Sequence, residues 1–262
     1  MKNLLKLEYR RLFSAKSFYI CMAVSLALIL ISALTTKFVL NAFTAITVET
    51  PEGMENIASA LQAPTSLAML KDMAGSSFTL ILAIFLSIFV TEDYVGDTIK
   101  NFYAKGYSRD LVFFAKFIAA LTGSLILLLA NGLFSIFLGK ALFGEFGTAG
   151  QNYVPSILMI VLLVIAYHSL YFAIDISIRK NGAAIAISIL GPIVIGLLLS
   201  LGNVLIKSES IDLSEYWLSG RMSILSAADV ATKDILLTLL VGGVITLAAG
   251  AVGFFLNRKR ES

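Results

Sequence analysis

The sequence predicts an all-α membrane protein with six transmembrane helices, and three observations lead to that fold class. The 262 residues are 58% hydrophobic and only 14% charged, with a mean hydropathy of +0.89, whereas soluble domains carry roughly a quarter charged residues. Six apolar stretches have about the 20 residues needed to cross about 30 Å of hydrocarbon. Of the 20 basic and 17 acidic residues, only Lys116 and Asp175 fall inside these stretches.

The composition also excludes several classes of protein. The apolar content argues against a soluble globular enzyme and a disordered chain, and a net charge of only +3 does not indicate a nucleic-acid partner. The one cysteine, Cys21, lies in an apolar run, so we expect neither a disulfide framework nor a cysteine metal cluster.

Residues 1–16 precede the first span and are predicted to form an amphipathic interfacial helix. Apolar and basic residues follow separate rows at helical spacing (Leu5, Tyr9, Leu12 and Phe13; Lys2, Lys6 and Arg10). Such a helix suits the surface of an anionic cytoplasmic leaflet, although a solvated positive flank is the alternative. We expect the first span not to be a cleaved signal, because its charged leader is long and no small-x-small site follows.

The spans are predicted at about 17–36, 73–91, 111–138, 154–176, 183–201 and 235–256, within one transmembrane domain that covers 1–262. The third is long enough to tilt in the bilayer. If the N-terminus is cytoplasmic, 14 of the 20 basic residues flank the spans on the inside. The positive-inside rule therefore predicts that both termini are cytoplasmic.

The loop between spans two and three has the pattern of a short helix. Asp97 or Thr98 can cap its start, and Ile99, Phe102 and Tyr103 share one apolar face at i, i+3 and i+4. Gly106 suits its end, and Ser108 suits the start of the next helix. Such a helix can transmit force from a cytoplasmic partner, but a capped loop that packs on its own bundle has the same pattern.

This region resembles a known family. The run Asp93-Tyr94-x-x-x-Thr98-Ile99-Lys100-Asn101, with Gly106-x-Ser108-Arg109 and Lys116 after it, is similar to the motif of type-2 permeases of ABC exporters. The likeness is to the permeases of lantibiotic and bacitracin protection and of phenol-soluble-modulin export. The order of elements agrees over essentially the whole chain. The family has Gly directly before the Thr, where this chain has Asp97.

The resemblance implies a permease subunit of the bacterial cell membrane, of which two copies or two different permeases form the pathway. Cytoplasmic ATPase subunits, which bind ATP and Mg, would dock through the N-terminal helix and the short coupling helix. This chain has no phosphate-binding Gly-x-x-x-x-Gly-Lys-Ser/Thr loop, so we expect neither a cofactor nor catalysis on it. The implied substrate is an amphipathic peptide or a lipid-like molecule. The candidate docking residues are Asp93, Tyr94, Asp97, Thr98, Ile99, Lys100, Phe102, Tyr103 and Arg109.

Polar residues within the spans are candidates for the pathway or for packing. His168 and Asn131 are expected to make hydrogen bonds to neighbouring helices, and Asp175 is expected to pair with Arg179 one turn away. Pro192 interrupts the fifth span and removes a backbone donor.

Three other functions are weighed against the permease. A non-transporting immunity or sensor protein needs no motif. An intramembrane protease or lipid transferase needs clustered acids, bases or nucleophiles, and the spans offer one His, one Asp and no Glu. An ion-coupled transporter is expected to have midplane charges and an internal repeat, and neither is visible in the sequence.

Overall fold

The computed structural model describes residues 2–47, 64–96, 98–150, 152–206, 212–227 and 230–259. It is 89% helical, and the described residues contain no strand. The α-helices in chain order are α1 (Lys2–Ser14), α2 (Lys16–Thr47), α3 (Ser66–Lys71), α4 (Ser76–Val95), α5 (Thr98–Ala104), α6 (Arg109–Phe143), α7 (Tyr153–Ile178), α8 (Asn181–Ile206), α9 (Leu218–Ser226) and α10 (Thr232–Lys259). Short 3-10 helices lie at Asp72–Ala74 and Leu213–Tyr216.

Six helical segments are long and apolar enough to cross a membrane. They are Lys16–Ala42, Ser66–Val95, Arg109–Phe143, Tyr153–Ile178, Asn181–Leu205 and Thr232–Lys259. Each predicted span lies within one of these segments. The structure thus confirms a multi-pass helical protein with six candidate spans.

The second span was predicted to begin at residue 73, but the helical segment begins at Ser66 and is interrupted near the predicted start. Thr65 caps α3 through its side chain, which accepts a hydrogen bond from the Ala68 amide at 3.3 Å. The helix then tightens into the 3-10 turn Asp72–Ala74, and α4 begins after Gly75. The charged pair Lys71 and Asp72 ended the predicted span at residue 73, and the structure continues the span beyond that pair as the separate helix α3.

The core lies among α4, α6 and α7, which are the most buried of the long helices. Phe85, Leu127 and Phe172 are essentially inaccessible there, and the ring of Phe18 from α2 meets that of Phe85 at 5.6 Å. Helices α2, α8 and α10 pack around this centre and keep large apolar side chains exposed, as membrane-facing helices do.

Helix α10 packs along α7 through small residues. A Cβ atom at Gly253 would lie 3.3 Å from the Ala173 Cα, and one at Gly242 would lie 3.2 Å from Leu162. Gly250 faces open space instead. Small side chains at two of these positions therefore let the two backbones approach closely.

A short helix, α5, follows the second span. It ends at Ala104, and Gly106 follows in the left-handed region at φ 81°. The Ser108 hydroxyl then caps α6 by accepting a hydrogen bond from the Leu111 amide at 3.4 Å. Asp97, the predicted cap of α5, lies outside the described residues.

Candidate functional site

Four charged side chains meet where α1, α4 and α6 converge, at the predicted cytoplasmic end. We call them the ionic cluster: Glu8 and Arg11 from α1, Asp93 from α4 and Lys116 from α6. Three of them are at least 96% shielded from solvent, and Arg11 is partly buried. Charged groups so deeply buried are rare unless they are paired.

Asp93 is the centre of the ionic cluster. Its Oδ2 forms ion pairs with both Arg11 and Lys116, and its Oδ1 accepts a hydrogen bond from the Thr98 hydroxyl of α5 at 2.8 Å. Lys116 Nζ also donates to the Val90 carbonyl at 3.0 Å. One carboxylate thus connects the N-terminal helix, the short helix and two long helices.

Glu8 balances the charge of the ionic cluster. Its carboxylate lies 3.8 Å from the Arg11 guanidinium, and neither oxygen has a hydrogen-bond partner. Burial raises the pKa of Glu8, outweighing the attraction of Lys116 and Arg11. Arg11 also reaches the more exposed Glu92 at 3.3 Å. Two cations and two buried carboxylates give this interior site a net charge near zero when all four are ionised.

The ring of Tyr94 extends the site to the end of α7. Lys116 Nζ lies 5.3 Å from the ring centroid, and the Arg179 guanidinium lies 4.8 Å from it. Both distances are within the range of cation–π attraction. Tyr94 therefore adds an uncharged, electron-rich surface between two cations.

The apolar face predicted for α5 packs against the protein's own chain. Ile99 is buried with Leu4, Val112 and Ala115, and Phe102 and Tyr103 are partly buried against them. The Arg109 guanidinium lies over the Tyr103 ring at 5.7 Å. This arrangement matches the alternative in which the helix packs on its own bundle. It leaves a different side of α5 at the surface, made of Thr98, Lys100, Asn101 and Ala104, and Lys105 just after the helix is exposed as well.

Two of the candidate pathway residues make the expected hydrogen bonds between helices. Asn131 Nδ2 donates to the Ser25 hydroxyl of α2 at 3.1 Å. His168 Nδ1 lies 3.0 Å from the Ser124 hydroxyl of α6, and its ring meets Phe117 edge-on at 5.0 Å. Both side chains are fully buried, so both contribute to packing.

Pro192 lies in α8, which continues through it, and it lines a cavity of about 510 Å³. Tyr167 and Tyr171 of α7 lie on the same cavity wall. A second cavity of about 440 Å³ is lined by Asn131. Asp72, at the break in the second span, borders both cavities and is the one charged residue among their described lining residues.

The expected ion pair between Asp175 and Arg179 is wrong. Asp175 Oδ1 instead accepts hydrogen bonds from Ser87 at 2.8 Å and from Ser188 at 3.2 Å. Arg179 begins a left-handed turn at φ 58°, which directs its side chain to Tyr94 and to the Ile176 carbonyl. The helix ends before the i, i+4 geometry can bring the two side chains together.

Sequence reasoning missed Glu8 and Arg11 as site residues. The available signal was the row Leu4, Glu8 and Leu12, which places a carboxylate between two leucines on one face of α1. All three are buried. The other two members of the ionic cluster, Asp93 and Lys116, were in the motif quoted above, and so was Thr98, which donates a hydrogen bond to Asp93.

No protein-family model matches this chain, and no curated protein matches it. Among the described residues, no group of three or more His, Cys, Asp or Glu side chains is placed to hold a metal ion.

Proposed function

We propose that this chain is the permease subunit of an ATP-driven exporter in the bacterial cell membrane. It would form the pathway for an amphipathic substrate, such as an antimicrobial or toxin peptide, together with a second permease. A separate cytoplasmic ATPase would bind ATP and Mg. Both termini and the interfacial helix α1 would lie on the cytoplasmic side, where 14 basic residues are expected.

The ionic cluster is the observation that carries this proposal. A permease that is driven by a cytoplasmic ATPase needs a rigid connection between the surface that binds the ATPase and its own membrane helices. Asp93 supplies one here, because it binds α1, α5 and α6 while belonging to α4 itself. A displacement of α1 or α5 is therefore transmitted directly to two long helices.

The exposed side of α5 is the surface that we assign to the ATPase. Ile99, Phe102 and Tyr103 anchor the helix to its own bundle, so Lys100, Asn101, Ala104 and Lys105 are the residues that a partner can reach. Docking by this side keeps the anchors buried. The coupling helix would then be anchored to the bundle by its buried residues and contacted by the ATPase on its exposed side.

A non-transporting immunity or sensor protein is the second candidate, and an intramembrane enzyme is the third. An enzyme needs a nucleophile, an acid and a base in one site, whereas here His168 contacts Ser124 and Asp175 contacts Ser87 and Ser188. An immunity protein would not require an ATPase. Binding of the ATPase therefore separates the first candidate from the other two.

The test is to measure how much of a cognate ABC ATPase co-purifies with the Ala104→Trp variant of this chain. Ala104 is exposed at the end of α5, and an indole there would prevent the helix from entering a groove. We expect captured ATPase to fall roughly tenfold, which corresponds to about 1.4 kcal/mol of binding free energy. The purified chain alone should hydrolyse no ATP.

The matched control is Ala141→Trp, which changes an exposed alanine at the other end of α6. It should leave ATPase capture and protein yield unchanged. The buried anchor provides a second comparison, because Ile99→Asp should lower the yield of folded protein as well. Capture of the ATPase by Ala104→Trp at the wild-type level would reject docking through α5, and failure of the unmodified chain to bind any cognate ATPase would reject the permease.

A further inference from the structure

Asp175 is a carboxyl group buried between three long helices. It lies on α7, it has 0% exposed surface, and its Oδ1 accepts hydrogen bonds from Ser87 of α4 and Ser188 of α8. Its Oδ2 has no hydrogen-bond partner among the described residues. Both serines are also fully buried.

Among the residues that the structure describes, none of the surrounding charged groups compensates a negative charge at this position. Arg179, which follows α7, turns to Tyr94 and the Ile176 carbonyl. Tyr171, one turn before Asp175, carries an uncharged phenol. From α4, Asp93 is held by its own two cations. Lys180, just before α8, is exposed, and Arg258 of α10 pairs with Asp110.

An ionised carboxylate is costly in such a place. Transfer of an isolated carboxylate from water to an apolar interior costs far more than two hydroxyl hydrogen bonds return, so a buried carboxyl without a cation stays neutral. The group must therefore carry either a proton or a bound metal cation.

The oxygen atoms around Asp175 favour the proton. Sodium sites in membrane proteins use carbonyl oxygens from unwound backbone and from helix ends. Ser87 and Ser188 lie inside helices, and at the end of α7 the carbonyls of Asp175 and Ile176 already accept hydrogen bonds from Arg179. Both serine hydroxyls are already donating to the same oxygen. We propose that Asp175 is a membrane-embedded proton-binding site, and that its carboxyl is protonated while α4, α7 and α8 are packed as in this structure.

A proton bound at Asp175 gives this chain a means of responding to proton concentration. Separation of α8 from α4 and α7 would admit water to Asp175, and the proton would then pass to that water. A proton held where three helices meet is thus released by helix movement and favours their packed state. The site concerns this chain alone and does not rest on the proposed function.

Infrared spectroscopy of the purified chain in liposomes tests the assignment. A protonated carboxylic acid has a carbonyl stretch that is separate from the bands of a carboxylate. We expect such a band at neutral pH, its loss in Asp175→Asn, and its persistence in Glu8→Gln, which removes a buried carboxyl of the ionic cluster instead. Ser188→Ala keeps the carboxyl but removes one hydrogen bond to Oδ1, so it should shift the band, and it keeps the test informative if Asp175→Asn does not fold.

Two outcomes would overturn the proposal. One is a neutral-pH spectrum in which Asp175→Asn and wild type have the same carboxylic-acid bands. The other is a rise in melting temperature with Na⁺, but not with K⁺, that Asp175→Asn abolishes while wild type has no carboxylic-acid band. The second result would assign a sodium ion to Asp175 instead of a proton.

Discussion

Asp93 can remain ionised in the interior because Arg11 and Lys116 both contact it. Replacement of Lys116 by Met would leave two buried carboxylates, Glu8 and Asp93, with Arg11 as their one cation in the ionic cluster. Breaking a buried pair by removing one partner costs about 3–5 kcal/mol. We expect Lys116→Met to lower the melting temperature in detergent markedly, as measured by intrinsic fluorescence.

The double variant Asp93→Asn with Lys116→Met is the control for that prediction. It leaves Glu8 and Arg11, whose charges balance, and it should recover much of the lost stability. A methionine fills the space of the lysine stem with little change in volume. If the double variant is less stable than Lys116→Met alone, the charge balance of the ionic cluster does not explain the burial of these residues.

Glu8 should make stability depend on pH. Because its pKa is raised in the folded protein by burial, the folded state binds more protons than the unfolded state at pH values between the ordinary value of 4.5 and the raised value. Stability from this group is therefore fully present below 4.5 and is lost as pH rises through the folded pKa. We expect the melting temperature of wild type, relative to Glu8→Gln, to fall over this interval. A difference that stays constant with pH would contradict the prediction.

At the level of elements, the contact between α7 and α10 depends on small residues at particular positions. Gly253→Leu would bring side-chain atoms into Ala173, where the Cβ alone would lie 3.3 Å from its Cα. Overpacking of this kind costs about 1–3 kcal/mol, so the melting temperature should fall. Gly250→Leu is the matched control, since a Cβ there meets nothing within 4 Å. An equal fall in melting temperature in both variants would show that helix propensity, and not packing between α7 and α10, causes the loss of stability.

The sequence predicted the spans well because their signal is local. In most spans a charged residue ends the apolar run within a few residues of the end of the helix. Helix α2 is the exception, because it continues to Thr47 whereas its span was predicted to end at residue 36. Its 32 residues are about 48 Å long, more than the hydrocarbon requires. Hydropathy therefore locates the membrane crossing and not the end of the helix.

The site was less predictable because it depends on which elements meet. Periodicity placed Ile99, Phe102 and Tyr103 on one face of α5, but the same pattern suits an external partner or the protein's own bundle. The structure brings α1 and the start of α6 against that face. Glu8 was missed for a similar reason, since a carboxylate on a helix indicates solvent until the cations that surround it are known.

For the molecule as a whole, the described residues have a buried centre and a largely apolar exterior. Little of α8 is covered, and side chains such as Leu198, Leu201 and Leu205 remain exposed. A surface of this kind is compatible with lipid and with a second permease. The proposed function needs both, because the pathway is expected to lie between two permeases.

The orientation of the whole molecule can be tested by cysteine labelling in a Cys21→Ser background. The two ends differ in sequence charge, with 14 basic residues on one side of the predicted spans and six on the other, and the side with more lysine and arginine remains in the cytoplasm. Thr148, Ser223 and Lys180 are exposed positions in the described residues. An impermeant thiol reagent should label Thr148→Cys and Ser223→Cys on intact cells, and should label Lys180→Cys only after the membrane is permeabilised. Labelling of Lys180→Cys alone on intact cells would invert the topology and would place the ionic cluster and α5 beyond the reach of any cytoplasmic ATPase.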